Sequence, residues 1–288
     1  MKLEKGKFNQ IINNQSIGYK KAIKEINLHI TQRNFDKALE IIGSLINKIE
    51  NTGWYVNDDK CEYYCFDNAF EEIIFKEIFK PEKEIIQIPE KYGEIYFSCG
   101  NILFEIKRFD EAKINLEKAV GYNPINTKYL FELGEIYKMR KVWDIFLRIN
   151  RNCLKFAYTG KAIARCYRNF GYYFFEEEKY DVAAALYYLS IFFDREDMVA
   201  HAELNFITNK TGIGAECPDL KSIKKMLKEN DIQFGANDLI LTIAYSIGLE
   251  AHKKNNYEVA EYLYNIVFEL TSDKEVKKLI DQLHIDNK

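Results

Sequence analysis

The chain has 288 residues, is 47% hydrophobic, and carries 41 basic and 44 acidic side chains for a formal net charge of −3. A chain of this length and composition can bury a continuous core without disulfides or a structural metal. The balanced charge, with no long run of one sign, argues against a nucleic-acid partner, because a phosphate backbone requires a clustered basic face. No segment has the apolar length of a membrane span or the pattern of a secretion signal, so we expect a cytoplasmic protein without membrane contacts.

The N-terminal third of the chain predicts one degenerate and one irregular helix pair. A polar tail at 1–18 precedes a helix pair at 19–52, in which apolar residues recur at helical spacing. These residues are Phe35, Ala38, Ile42 and Leu45. The next segment, 54–92, contains a helix-like run but ends around Pro81 and Pro89. Because proline breaks helical continuity, this segment predicts an irregular helix hairpin.

The clearest repeating unit, residues 93–126, combines large, small and aromatic residues in a fixed order. Its marker residues are Tyr96, Gly100, Leu103, Phe109, Ala112, Leu116, Ala119 and Pro124. Small residues at Gly100 and Ala112 let two antiparallel helices approach closely, while the large residues fill the seam toward the next helix pair. Pro124 cannot continue the second helix, so the chain turns there into the following unit.

The same order recurs in 127–160, 164–197 and 241–274, each with a glycine at the small position and an aromatic residue nine positions later. These pairs are Gly134 and Trp143, Gly171 and Tyr180, and Gly248 and Tyr257. The 34-residue order resembles the tetratricopeptide repeat family, whose units are helix–turn–helix hairpins. The resemblance covers the chain from residue 19 onward.

The intervals between these aromatic residues show where the period is interrupted. From Phe35 to Phe109 the chain runs two periods plus six residues, and from Tyr180 to Tyr257 it runs two periods plus nine. Each gap therefore holds one irregular hairpin, and the second of these is at 198–240.

The resemblance implies an all-α fold: a right-handed superhelical solenoid of about seven antiparallel helix hairpins. These form a single domain at 19–288. The last segment, Lys274 to Leu283, predicts a C-terminal capping helix with a charged outer face, which the end of a solenoid needs for solubility.

The resemblance also implies a concave groove lined by the first helix of each hairpin. Aromatic and arginine side chains at groove positions are of the types that carry binding energy in interfaces. The candidate partner-binding residues are Phe97, Asn101, Phe104, Phe131, Glu135, Arg165, Arg168, Asn169 and Tyr172. The alternative is that Phe97 or Phe131 packs against the neighbouring hairpin, and that the charged residues form a solvated face.

The sequence offers no residue set for catalysis or for a bound cofactor. Its four histidines are scattered without metal-ligand spacing, and no nucleophile with a matching base stands out. The six cysteines include no Cys-x-x-Cys motif, and we expect them to stay reduced and to act as buried small hydrophobic residues. They are Cys61, Cys65, Cys99, Cys153, Cys166 and Cys217.

The repeats and the groove positions favour a non-enzymatic scaffold that binds a peptide or helical segment of a partner protein. The identity of that partner is open. The alternative is a ligand- or peptide-responsive regulatory member of the same family, acting through protein contacts alone. No metal or cofactor enters either interpretation.

Overall fold

Helices dominate the chain, as its apolar periodicity predicts. A computed structural model describes residues 5–212, 214 and 216–286. Fourteen helices and two short strands occur in that part of the chain, in agreement with the predicted all-α class. The chain divides into two units, residues 1–139 and 140–288. Within the described ranges, no helix combines the length and the apolar content needed to cross a bilayer.

The first unit holds six of these helices and both strands. They are α1 (Lys5–Thr31), α2 (Phe35–Thr52), β1 (Cys61–Tyr64), α3 (Ala69–Phe79), β2 (Glu84–Gln87), α4 (Tyr92–Glu105), α5 (Phe109–Tyr122) and α6 (Thr127–Met139). Helix α1 packs on α2, α2 on α4, α4 on α5, and α5 on α6. Neighbouring helices in the sequence are thus neighbours in space.

The second unit holds eight helices among the described residues. They are α7 (Trp143–Phe156), α8 (Gly160–Glu176), α9 (Tyr180–Phe193), α10 (Met198–Thr211), α11 (Leu220–Glu229), α12 (Asp238–Lys253), α13 (Tyr257–Thr271) and α14 (Lys274–Asp286). Helix α7 packs on α8, α8 on α9, α9 on α10, α12 on α13, and α13 on α14. Helices α10 and α11 occupy the second irregular segment.

The structure has a helix at the predicted C-terminal segment and corrects the prediction for the N-terminal one. Helix α14 buries Val276, Ile280 and Leu283 and exposes its charged residues Lys274, Glu275, Lys277, Lys278 and Asp281. The predicted N-terminal tail is wrong from residue 5 onward, because α1 begins at Lys5. Phe8, Ile11 and Ile12 recur at helical spacing within this otherwise polar stretch, a signal that favours a helix. Residues 1–4 of that tail lie outside the described residues.

The predicted helix hairpin at 54–92 is wrong, because the structure has a strand–helix–strand unit there. Strands β1 and β2 pair in parallel, with Cys61 opposite Glu84 and Tyr64 opposite Gln87. Helix α3 makes the crossover that a parallel pair requires. It begins where the Asn68 side chain accepts a hydrogen bond from the Glu71 amide. Aromatic residues in β1 and isoleucines in β2 favour extended backbone.

Buried polar contacts fasten this strand–helix–strand unit to the junction of α5 and α6. The Cys65 amide donates to the carbonyl of Tyr122 at 2.7 Å. The Asn123 side chain, fully buried, donates to the Glu71 carboxylate at 2.7 Å. The Asn126 side chain donates to Asp67 at 2.9 Å. These bonds provide partners for polar groups where the strand–helix–strand unit packs on the α5–α6 junction, so those groups are not left unpaired.

Replacing Asn123 with alanine should lower the free energy of unfolding by about 1–3 kcal/mol, because Glu71 loses its buried amide donor. Urea unfolding monitored by circular dichroism measures the change. The control is Asn115→Ala, since Asn115 bonds only to the Glu111 carbonyl at an exposed site. An equal loss in both variants would contradict the anchoring role of Asn123.

Three helix pairs share one close contact, between a glycine and a large residue 16 positions later. A Cβ atom on Gly100 would lie 2.6 Å from Leu116 Cγ, on Gly171 2.9 Å from Tyr187, and on Gly248 2.8 Å from Tyr264. All three large residues are completely buried. The predicted close approach at the small position is thus confirmed in these pairs, and only glycine fits there.

The Gly171→Ala variant should lower the free energy of unfolding by about 1–3 kcal/mol, because Tyr187 is fully buried and has no room to move. Gly43 gives the matched control. It lies within α2, and an added Cβ meets nothing within 4 Å. Gly43→Ala should therefore stabilise the chain by about 0.5–1 kcal/mol. Thermal unfolding of both variants measures the difference, and destabilisation by both would refute the steric explanation.

The turns between paired helices also repeat. The residue two positions before each opening aromatic has a left-handed backbone, with φ between 54° and 64°. These residues are Arg33, Lys107, Lys141, Glu178 and Asn255. In four of the turns, the backbone amide of the residue after the left-handed one donates a hydrogen bond to the carbonyl five residues before it. An example is the bond from the Lys179 amide to the Phe174 carbonyl, at 2.9 Å. This bond satisfies a carbonyl left open at the helix end and fixes where the second helix starts.

The cysteines follow the prediction in part. Cys65, Cys99, Cys153 and Cys166 are buried, and all six thiols are free. Burial raises the pKa of Cys65 and Cys99 to about 11. Cys61 is only half-buried in β1, and Cys217 is exposed in the loop before α11, so the prediction is wrong for Cys217.

Candidate binding surfaces

The predicted residues of the first unit fall into a buried group and a half-exposed group. Phe97 and Phe131 are each only 5% exposed. The Phe97 ring stacks on Tyr129 of α6 with centroids 4.9 Å apart, and the Lys128 ammonium lies 4.3 Å from its centroid. Phe97 therefore belongs to the contact between α4 and α6, as the alternative interpretation expects.

Asn101, Phe104 and Glu135 form the half-exposed group. Asn101 and Phe104 lie three apart, so they share a face of α4. The Phe104 ring meets Phe109 edge-on at 5.4 Å, which fixes its position. The Glu135 carboxylate lies 2.5 Å from the Lys138 ammonium, so its charge is already balanced within α6. Apolar and amide groups thus remain as the main contact chemistry of this surface.

In the second unit, Arg168 is held by a buried carboxylate. Its guanidinium forms an ion pair with Asp197, whose side chain is 3% exposed. Asp197 also accepts hydrogen bonds from the Ser190 hydroxyl at 2.5 Å and from the Ala200 amide at 3.1 Å. The second of these bonds caps the N-terminus of α10. Arg168 therefore connects α8 to the junction of α9 and α10.

Asn169 is buried and bonded within the same unit. Its side-chain amide donates to Asn150 of α7 at 3.2 Å. The Asn150 amide in turn donates to the Cys166 carbonyl at 2.9 Å. These two hydrogen bonds join α7 to α8. The side-chain amide nitrogens of Asn169 and Asn150 are therefore both engaged in contacts between the helices.

Arg165 and Tyr172, like Arg168, are half-exposed members of the predicted set in this unit. Arg165 and Tyr172 lie on α8 seven residues apart, close to two helical turns. The Tyr172 ring is 6.3 Å from Trp143, and burial together with the Glu176 charge raises the pKa of its hydroxyl. Tyr172 therefore stays neutral at physiological pH, with its hydroxyl beside Glu176 and its ring beside Trp143.

Sequence reasoning missed Asp197 and Ser190, which complete the Arg168 cluster. Burial by itself raises the pKa of Asp197, but the bonds from Ser190 and Ala200 and the Arg168 charge together hold that pKa below its usual value. The folded state therefore favours the ionised carboxylate. Asp197 immediately precedes the first residue of α10, and an aspartate before a helix is the signal that indicates a cap.

The Arg168→Gln variant should lower the free energy of unfolding by about 1–3 kcal/mol, because the buried Asp197 carboxylate loses its cation. Arg195→Gln, at an exposed position, is the matched control and should change stability little. Chemical unfolding at neutral pH measures both. Retention of full stability by Arg168→Gln would contradict a structural role for the pair.

The pH dependence of the cluster follows from the lowered pKa of Asp197. The stability it contributes is complete above the unfolded pKa of about 3.9 and is lost as pH falls through the lower folded pKa. The stability difference between the wild-type chain and Asp197→Asn should therefore shrink below about pH 4. The control is an exposed substitution, Asp59→Asn.

The sequence matches no protein-family model, and it matches no curated protein. Within the described part of the chain, no three His, Cys, Asp or Glu side chains come together in a way that would hold a metal ion.

Proposed function

We propose that this chain is a non-enzymatic protein-binding scaffold of the tetratricopeptide type, which holds a peptide or helical segment of a partner in a concave groove. The observation that carries the proposal is the contact of α4 with α6 through Phe97 and Tyr129. This contact joins two first helices. Asn101 and Phe104 of α4 and Glu135 of α6 are half-exposed.

The nine predicted residues divide into two roles. Phe97, Phe131, Arg168 and Asn169 position the helices through core packing or internal polar bonds. The contact residues in this proposal are Asn101, Phe104 and Glu135 in the first unit, and Arg165 and Tyr172 in the second. A rigid support beneath a few exposed aromatic and amide groups reduces the ordering cost of binding.

A photocrosslinking amino acid, p-benzoylphenylalanine, tests the surface when it replaces Phe104 in the full chain. We expect irradiation in a lysate of the source cells to crosslink a discrete partner, which mass spectrometry identifies. Asn101→Ala should then weaken binding of that purified partner by about 5- to 30-fold, the range for truncated anchor residues. Isothermal titration calorimetry measures the change.

The matched control places the same crosslinker at Ile114, which is 54% exposed on the second helix α5. Equal crosslinking from both positions would contradict a specific surface. Unchanged affinity in the Asn101→Ala variant would do the same. Failure to capture a protein, combined with thermal stabilisation of the chain by short peptides, would replace the scaffold with the peptide-responsive alternative.

A further inference from the structure

A basic cleft lies in the second unit, among α7, α11 and the segment 231–237 that leads into α12. Its volume is about 780 Å³, which is within the range of sites that bind ligands of drug or short-peptide size. None of the nine predicted groove residues lines it. The cleft is therefore a separate surface.

The rim of the cleft carries a concentration of positive charge. Arg151, Lys155, Lys224 and Lys228 line it, against one carboxylate, Asp231. Its net charge of +3 contrasts with −3 for the whole chain. Asp231 lies 3.5 Å from Arg151. Within the described residues, no carboxylate is within ion-pair distance of Lys224 or Lys228, which lie four apart on one face of α11.

The floor of the cleft is apolar. Leu154, Leu227 and Ile232 are 2%, 4% and 6% exposed, so their side chains close the base. Phe234 stands at the edge, 36% exposed, with the Lys224 ammonium 4.8 Å from its ring centroid. A ligand that fits this surface combines negative charges with an apolar group.

Hydrogen bonds hold the wall of the cleft in place. The fully buried Tyr167 hydroxyl donates to the Gln233 carbonyl at 3.0 Å and accepts from the Gly235 amide at 2.6 Å. Arg151 donates through Nε to the Asp231 carbonyl at 3.2 Å. Binding therefore carries no additional free-energy cost for ordering the segment 231–237.

We propose that this cleft binds an acidic linear segment of a partner protein, with carboxylates on the lysine rim and one apolar side chain on the floor. A single small anion would leave most of the 780 Å³ and the apolar floor unused. A nucleic acid would bring its phosphates near Asp231 and would gain nothing from Leu154, Leu227 and Ile232. An acidic peptide with one leucine matches both the charge and the floor.

The test uses the full chain and a fluorescein-labelled peptide in which one leucine is flanked by glutamates, with binding measured by fluorescence anisotropy at low ionic strength. We expect saturable binding that weakens with added salt. The double variant Lys224→Glu and Lys228→Glu should weaken binding by at least about tenfold. Circular dichroism checks that each variant keeps its helical content.

The matched control is Lys221→Glu with Lys225→Glu, which makes the same charge change on the same helix outside the cleft lining. It should weaken binding by less than about threefold. Equal weakening of binding by the two double variants would overturn the proposal, because long-range charge alone would then explain binding. Undiminished binding of a probe whose leucine is replaced by glutamine would also overturn it, as would tighter binding of an oligouridylate RNA.

Discussion

The close approach of two helices at a glycine is the contact on which the repeating part of this structure depends. Leu116, Tyr187 and Tyr264 fill the space that a Cβ would need on the facing glycine, and all three are completely buried. Because interiors are close-packed, such a contact tolerates only one register of the second helix on the first. The left-handed residue in the turn then sets where that second helix starts.

These local constraints explain why the sequence predicts the helix pairs well. The glycine, the opening aromatic and the large residue are all determined within one 34-residue unit, so no distant contact is needed to find them. The beginning of α8 shows the limit of the repeat pattern. Its first turn starts at Gly160, ahead of the predicted unit at 164, because Thr159 accepts a hydrogen bond from the Ala162 amide and caps the helix there. A capping signal, not the repeat, determines that boundary.

The strand–helix–strand unit could not be predicted in the same way. Strands of four residues are too short to show alternation, and the aromatic residues of β1 fit a helix pattern equally well. What selects strands is a distant set of partners: the Tyr122 carbonyl for the Cys65 amide, and the Asn123 amide for Glu71. The burial of some candidate residues could not be predicted for the same reason, because it depends on contacts with residues distant in the sequence. Arg168 and Asn169 are engaged by Asp197 and Asn150, and groove position alone does not reveal those neighbours.

The two proposed surfaces differ in whether their charges are already balanced inside the chain. On the predicted groove residues, Glu135 pairs with Lys138 and Arg168 with Asp197, so recognition there rests on aromatic and amide groups such as Phe104 and Asn101. On the cleft, Lys224 and Lys228 have no carboxylate within ion-pair distance among the described residues. Exposed charge interactions are screened by salt, whereas apolar contacts are not. We therefore expect a rise in ionic strength to weaken binding of an acidic segment at the cleft more than binding of a segment at the proposed groove.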